Sequence, residues 1–181
     1  MKRQNRRLMA WVGILLIAVL WGGMAATVSH AQCSGFCATV TEVPCAECMV
    51  LQNLYWATSG AGWYNNTNWF VTKTPSNWYG VTVENGHVTE IDLCLNNLRG
   101  AIPAALSGLS ELRVLALCAN DLAGPITPQL GYLEQLEVLI LSQSRLVGTI
   151  PPSLGDLDNL QWLDLGSNRL DGAIPAALGD I

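Results

Sequence analysis

A 24-residue repeat constrains the fold of this chain more than any other feature of its sequence. Aligned from Val88 onward, its four units read VTEIDLCLNNLRGAIPAALSGLSE, LRVLALCANDLAGPITPQLGYLEQ, LEVLILSQSRLVGTIPPSLGDLDN and LQWLDLGSNRLDGAIPAALGDI. A fixed period of this length is typical of solenoids, in which each unit packs only against its neighbours. One unit alone buries too little apolar surface to be stable. Residues 88–181 must therefore stack around a continuous core.

Five apolar columns run through the aligned units. The first two columns lie two residues apart, and this alternation predicts a short strand with one buried face in each unit. The columns are Ile91, Leu115, Leu139 and Leu163; Leu93, Leu117, Leu141 and Leu165; Leu98, Leu122, Leu146 and Leu170; Ile102, Ile126, Ile150 and Ile174; and Leu106, Leu130, Leu154 and Leu178.

A polar column and a glycine column accompany the apolar ones. An inward-pointing amide can bond to backbone groups of the turn that leaves the strand, and glycine permits a bend that a Cβ hinders. The two columns hold Asn96, Asn120, Ser144 and Asn168, and Gly100, Gly124, Gly148 and Gly172. Because a serine side chain is short, we expect Ser144 to satisfy fewer backbone groups than the asparagines do.

The pattern L-x-x-L-x-L-x-x-N-x-L-x-G-x-I-P-x-x-L-G-x-L resembles the plant-type leucine-rich repeat, which is also common in bacterial exported proteins. The resemblance covers about half of the chain. It implies an α/β solenoid, a right-handed superhelix with a parallel β-sheet on its concave face. Irregular or short 3₁₀ segments are expected on the convex face.

Residues 45–87 resemble the N-terminal cap of the same family. A helical pattern follows Pro44, and the string NNTNW and the string NWYGVT come after it. Asn85-Gly86 between two apolar segments predicts a tight hairpin into the first repeat strand. The resemblance thus implies a cap made of a helix, a Trp-rich loop and a hairpin.

The cap departs from the family pattern at two cysteine positions. The family usually has cysteine two residues before the Trp of the WYGV string and two residues after its Val, where this chain has Ser76 and Val83. Such a disulfide would contribute about 2–4 kcal/mol. We therefore expect Trp63, Trp69 and Trp78 to pack over the first coil and to stabilise the cap in its place.

Six cysteines fall into two groups. Cys33, Cys37, Cys45 and Cys48 are candidate disulfide partners of unknown pairing, and a four-cysteine zinc site or free thiols remain open alternatives. Cys94 and Cys118 share one repeat column on adjacent strands, within the Cα separation that a disulfide allows. Their bond is less expected, because directly opposed cysteines on parallel strands have awkward dihedral angles.

The first 31 residues differ from the rest. A basic start, an apolar stretch and Ser29-His30-Ala31 predict a signal peptide cut after Ala31, and an uncleaved membrane anchor is the alternative. Both place the remainder outside the cytoplasm, extracellularly or at the cell surface. Because this segment holds four of the nine Lys and Arg and none of the 14 Asp and Glu, residues 32–181 carry a net charge of −9. That charge argues against nucleic acid and against membrane binding by the repeats.

Residues between the leucine columns are expected to face outward on the concave sheet, including Thr89, Ala116 and Ser142. The candidate binding surface consists of Glu90, Asp92, Arg113, Glu137, Ile140, Gln161, Trp162 and Asp164. An exposed tryptophan is a frequent interface anchor. Packing of Trp162 against Arg113, Ile140 or chain beyond residue 181 is the alternative.

Nothing in the sequence indicates catalysis, a cofactor or a metal in the repeats. The carboxylates are spread over a broad open face rather than paired in a water-excluding pocket. No Gly-rich phosphate loop is present. His87 lies in the hairpin without a nucleophile beside it, and we expect a solvated turn residue.

These observations predict a signal peptide at 1–31, a Cys-containing linker at 32–44, the cap at 45–87 and four repeats at 88–181. The predicted function is an extracellular module that binds a protein, peptide or glycan through its concave face. A structural or adhesive surface protein, or the sensory ectodomain of a longer receptor or enzyme, is the alternative. The fourth unit matches the consensus instead of carrying a polar capping face, so we expect the chain to continue into further repeats or domains.

Overall fold

A computed structural model describes residues 33–180, so the signal peptide predicted at 1–31 and Ile181 lie outside the described residues. The described part contains one α-helix, α1 (Cys45–Ala57), followed by nine strands. The strands are β1 (Val81–Glu84), β2 (His87–Asp92), β3 (Arg99–Gly100), β4 (Val114–Ala116), β5 (Asp121–Pro125), β6 (Val138–Ile140), β7 (Arg145–Thr149), β8 (Trp162–Asp164) and β9 (Arg169–Asp171). Between residues 33 and 180, no helix is long and apolar enough to cross a membrane.

The larger sheet has five strands in the order β1-β2-β4-β6-β8. β1 pairs antiparallel with β2, and all later neighbours are parallel. The parallel register follows the sequence period, since Ile91, Leu115 and Leu139 lie side by side with Leu163. The first three of these side chains are fully buried. The leucine-rich solenoid with a parallel sheet is therefore confirmed.

A second sheet of four short parallel strands, in the order β3-β5-β7-β9, lies beyond the turn that carries the asparagine column. Its strands pair at a spacing of 22 residues, as in Arg99 with Asp121. Each strand is thus displaced by two residues from the repeat period. Only irregular or 3₁₀ segments were expected outside the concave sheet. The second sheet forms because the residues on either side of the glycine column are extended and reach the next coil.

The return path of each repeat contains a short 3₁₀ helix, and these helices stack on one another. The first of them packs against α1, which joins the cap to the solenoid. Their bounds are Ala104–Gly108, Pro128–Tyr132, Pro152–Asp156 and Ala176–Asp180. Gly100 shows how closely cap and repeats approach, because its φ is +123° and a Cβ there would meet the carbonyl oxygen of Ala57.

The asparagine column connects successive coils, as its position predicts. The Asn120 amide donates to the carbonyls of Leu93 and Leu117 at 2.9 Å each. Its oxygen accepts from the N–H groups of Asn96 and Leu98, at 3.0 and 2.9 Å. In the third coil, the Ser144 hydroxyl makes one hydrogen bond within residues 33–180, to the Asn120 carbonyl at 3.3 Å. Serine therefore satisfies fewer backbone groups, as expected.

Three buried tryptophans form the core of the cap. Trp63, Trp69 and Trp78 are 6%, 4% and 1% exposed, and their rings lie 5.0–5.1 Å from one another in sequence order. Each indole N–H donates to a backbone carbonyl, those of Thr58, Tyr79 and Thr72 respectively. The three residues thus pack against one another within the cap, and their packing over the first coil stays a prediction. Ser76, at one of the absent family cysteines, bonds instead to the Glu42 carboxylate through its N–H and its hydroxyl, both at 2.9 Å.

Candidate binding surface

The parallel register brings residues of equal repeat position side by side on the concave face. One row contains Glu90, Val114, Val138 and Trp162, and the next contains Asp92, Ala116, Ile140 and Asp164. Since neighbouring strands lie about 4.8 Å apart, each row spans about 14 Å. This length suits several residues of an extended peptide.

The eight residues predicted for the binding surface all lie on this sheet or directly before one of its strands. Five of them belong to the two rows. Arg113, Glu137 and Gln161 stand one residue earlier, and each donates its backbone N–H to the preceding coil at 2.8 Å. The structure therefore brings the set together. Its role in binding stays a prediction.

Three residues expected to face outward are buried instead. Thr89, Ala116 and Ser142 are 6%, 5% and 5% exposed. Ala116 is too short to rise above the longer residues that flank it in its row. Ser142 is short, and its carbonyl accepts the Ala119 N–H of the preceding coil at 2.9 Å, so it lies close to the stacked backbone. Thr89 lies beside the hairpin strand β1, which covers this end of the sheet.

Trp162 presents its ring to solvent with 61% of its surface exposed. Its neighbour in the register is Val138, and its backbone N–H is held by the carbonyl of Glu137 at 3.1 Å. Arg113, one alternative packing partner, is paired with Glu84 instead. The strand is thus fixed while the indole remains open to contact.

Asp164, two residues after Trp162, is held as a carboxylate. The hydrogen bond from the Ser142 side chain lowers the pKa of Asp164, and the bond from the Gly166 N–H lowers it further. Slight burial acts in the opposite direction and is outweighed. The exposed indole therefore has a fixed negative charge beside it at neutral pH.

The hairpin adds residues that sequence reasoning missed as site residues. Glu84 on β1 forms an ion pair with Arg113. Thr89 lies close to both residues, and all three line the same two cavities. A signal was present in the sequence. Val88 and Ile91 are both apolar but three residues apart, so a regular strand could not bury both on one face.

The side chain of His87 is 41% exposed, as expected for a solvated residue, and it also has a structural partner. Its Nδ1 lies 2.6 Å from Oε1 of Glu47, whose other oxygen accepts the Val88 N–H at 2.8 Å. Glu47 is only 4% exposed, so this contact ties the hairpin to α1. Nothing in the sequence indicates this contact, because the helix brings a buried carboxylate beneath the turn from 40 residues away.

All six cysteines are paired. The disulfides join Cys33 to Cys45, Cys37 to Cys48 and Cys94 to Cys118. The four upstream cysteines are thus joined in two pairs in this structure, the arrangement expected of disulfide partners. The less expected bond between Cys94 and Cys118 is present, because adjacent strands bring their Cα atoms to 4.5 Å. It crosslinks the first two coils on the concave face.

Comparisons with known proteins agree on the class of fold. The family model for the Leucine Rich Repeat matches residues 135–157 and 159–181. The BIR2 ectodomain from Arabidopsis thaliana is similar, with 29% identity and a TM-score of 0.66 over 78% of each chain. A search of curated proteins returns no match.

Two complexes are also similar. The chain matches PEPR1-AtPEP1 with 26% identity and a TM-score of 0.66, covering 75% of this chain and 20% of that one. It matches the Arabidopsis receptor kinase HAESA, in complex with the peptide hormone IDA and the co-receptor SERK1, with 27% identity and a TM-score of 0.65. That match covers 74% of this chain and 23% of HAESA. The chain thus spans about a fifth of the PEPR1 and HAESA chains.

The stacked coils, the capped end and the open sheet define a solenoid with one broad exposed face. The repeat columns, the family match and the structural relatives agree on the type of repeat. The chain carries plant-type leucine-rich repeats.

Proposed function

We propose that this chain is an extracellular recognition module whose concave face binds a protein or peptide. The observation that carries the proposal is the exposed Trp162 on a paired strand, in one row with Val114 and Val138 and next to the carboxylate of Asp164. An aromatic anchor with apolar neighbours and a polar border is the usual composition of a binding hot spot.

The relatives support a peptide or protein partner over a glycan. HAESA is described in complex with a peptide hormone and a co-receptor. A sensory ectodomain of a longer receptor is therefore the more specific form of the proposal. It is favoured over an adhesive role because the similar chains include receptor kinases.

An extracellular location is part of the proposal. Three disulfides persist in oxidising compartments and are rare in the cytosol. The signal peptide proposed at 1–31 would direct the chain there, followed by the linker at 32–44, the cap at 45–87 and the repeats at 88–181.

Selection of a random dodecapeptide display library against the full chain, secreted with its disulfides formed, tests the proposal. We expect the selected peptides to lose at least about tenfold in affinity for Trp162→Ala, because an anchor residue contributes more than 1.4 kcal/mol. The free energy of unfolding should stay unchanged, since the ring packs little.

Tyr132→Ala is the matched control, because Tyr132 is 67% exposed within the 3₁₀ helix Pro128–Tyr132, away from the concave sheet. It should leave the affinity of the selected peptides unchanged. Equal losses for both variants, or a large loss of stability at Trp162→Ala with unchanged binding, would contradict the proposal.

A further inference from the structure

A β-bulge at Thr89 interrupts the hairpin that leads into the repeats. Thr82 of β1 pairs with Glu90, but the next residue, Val83, pairs with Val88. Thr89 is thus the extra residue on β2. A bulge re-aims the side chain of its extra residue and often lies next to a functional site.

The hydroxyl of Thr89 is buried without a partner. Thr89 is 6% exposed, and its Oγ1 has no hydrogen bond to any residue between 33 and 180. An unpaired buried hydroxyl lowers the stability of the fold. A ligand that forms a hydrogen bond with this hydroxyl would explain why the fold keeps it buried without a partner.

Two adjacent cavities meet at this residue, with volumes of about 240 and 210 Å³. Both are lined by Thr89 and by the ion pair of Glu84 and Arg113. The larger extends toward the hairpin turn and Glu111, and the smaller runs along the concave face past Glu90 and Glu137. The ion pair is about half exposed on both sides, so it is weak and can exchange partners.

The charges around the two cavities favour a cation. Four carboxylates line them, those of Glu84, Glu90, Glu111 and Glu137. Arg113 is the one Lys or Arg among the lining residues, and His87, which also lines the larger cavity, contacts Glu47. In the part of the chain that the structure describes, only Glu84 among the four has a basic partner. An anionic ligand would be repelled by the net negative charge, whereas a cation would be attracted.

We propose that these cavities bind a positively charged nitrogen group of a peptide, a guanidinium or an ammonium. The Thr89 Oγ1 accepts a hydrogen bond from one N–H of the bound nitrogen group, and the carboxylates of Glu90 and Glu137 neutralise the positive charge of that group. This inference rests on the proposed function, since it names the chemistry of the ligand at the cap end of the same face. A small metal ion fits poorly, because no three His, Cys, Asp or Glu side chains of residues 33–180 converge closely enough to ligate one.

The test measures binding of three small probes to the full disulfide-bonded chain by amide NMR shifts at low salt. N-acetyl-L-argininamide carries a guanidinium, L-alaninamide carries a free α-ammonium, and N-acetyl-L-citrullinamide is neutral. We expect at least one cationic probe to bind at least about tenfold more tightly than citrullinamide, with weakening as salt rises. Tighter binding of N-acetyl-L-argininamide would identify an arginine side chain as the source of the cation, and tighter binding of L-alaninamide would identify the amino terminus of a peptide. Equal binding of all three overturns the inference.

Three variants locate the site. Thr89→Val and Glu137→Gln should each weaken the cationic probe by about tenfold. Thr89→Val should keep or raise the urea midpoint, because it removes an unpaired buried hydroxyl. Arg113→Gln should strengthen binding, since it removes the competing cation from Glu84. Thr149→Val, on an exposed position of β7, is the control and should change nothing.

Unchanged probe binding in both Thr89→Val and Glu137→Gln, or a loss of binding in Arg113→Gln, would refute the cation site. The two proposals fail separately. Library peptides that depend on Trp162 while no cationic probe binds would leave the recognition face intact and remove only this inference. Binding of a cationic probe, without any selected peptide that depends on Trp162, would support the cation site and contradict the proposed role of Trp162.

Discussion

The linker and cap, residues 33–87, and the repeats, residues 88–180, bury their apolar side chains by different means. In the cap, three tryptophans contact one another and each bonds to a different carbonyl. In the repeats, the same leucine contact and the same asparagine bonds recur from coil to coil. Contacts in the cap are therefore unique, whereas contacts in the repeats have equivalents in the neighbouring coils.

The largest expected effect is the loss of a unique contact. Trp78→Ala should lower the free energy of unfolding by about 4 kcal/mol, because it empties a site that is 1% exposed and removes the bond to the Thr72 carbonyl. Urea denaturation followed by circular dichroism measures the change. Trp56→Ala is the matched control, since Trp56 lies on α1 and is 66% exposed, and it should change stability by less than about 0.5 kcal/mol. Comparable losses for the two variants would show that the aromatic cluster does not stabilise the cap.

The second prediction removes a repeated contact. Asn120→Ala should lower the free energy of unfolding by about 2 kcal/mol, because it leaves carbonyls of its own coil and N–H groups of the preceding coil without partners. Asn168→Ala should cost less, since the Asn168 oxygen accepts one N–H bond, from Leu146 at 3.2 Å. Urea midpoints of both variants provide the comparison. A larger loss at Asn168 would contradict this ranking.

The same difference explains what could be predicted from the sequence. A period of 24 residues places Ile91 beside Leu115 without any knowledge of the backbone, and the structure has this pair. The contact of Ser76 with Glu42 joins residues 34 apart in sequence that follow no period, and nothing in the residue types predicts it. Contacts between repeats are predictable because each unit shows the same residue pattern again. Contacts in the cap occur once, so no repeated pattern in the sequence predicts them.

The candidate site shows the same limit. The period placed Trp162 and Asp164 correctly on the concave face. It failed at Thr89, because the register there is set by the hairpin and by its bulge rather than by the repeat. The three-residue spacing of the apolar Val88 and Ile91 indicates that the strand is irregular between them. It does not predict where the side chain of the extra residue points.

The third prediction restores a repeated contact where the chain lacks it. Ser144→Asn should raise the free energy of unfolding by about 1 kcal/mol, because an amide at this position can bond to backbone groups of the second and third coils as Asn120 does one coil earlier. The change should appear as a higher urea midpoint with an unchanged slope. Ser107→Asn, in the 3₁₀ helix Ala104–Gly108, is the control and should not stabilise. A lower midpoint for Ser144→Asn would mean that the third coil cannot accommodate the amide.

The smallest effect concerns charge on the repeat surface. Because the pKa of Asp164 is lowered in the folded state, its carboxylate contributes stability above the pKa of the unfolded chain, and that contribution is lost as pH falls through the lower folded pKa. The stability difference between the wild type and Asp164→Asn should therefore be larger at pH 7 than at about pH 3. Ser142→Ala should shrink this pH dependence, since the Ser142 hydrogen bond is its principal cause. Urea midpoints at the two pH values measure it. A difference that does not change with pH, or that grows toward acid, would show that the hydroxyl does not hold the carboxylate and that the charge beside Trp162 is free to move.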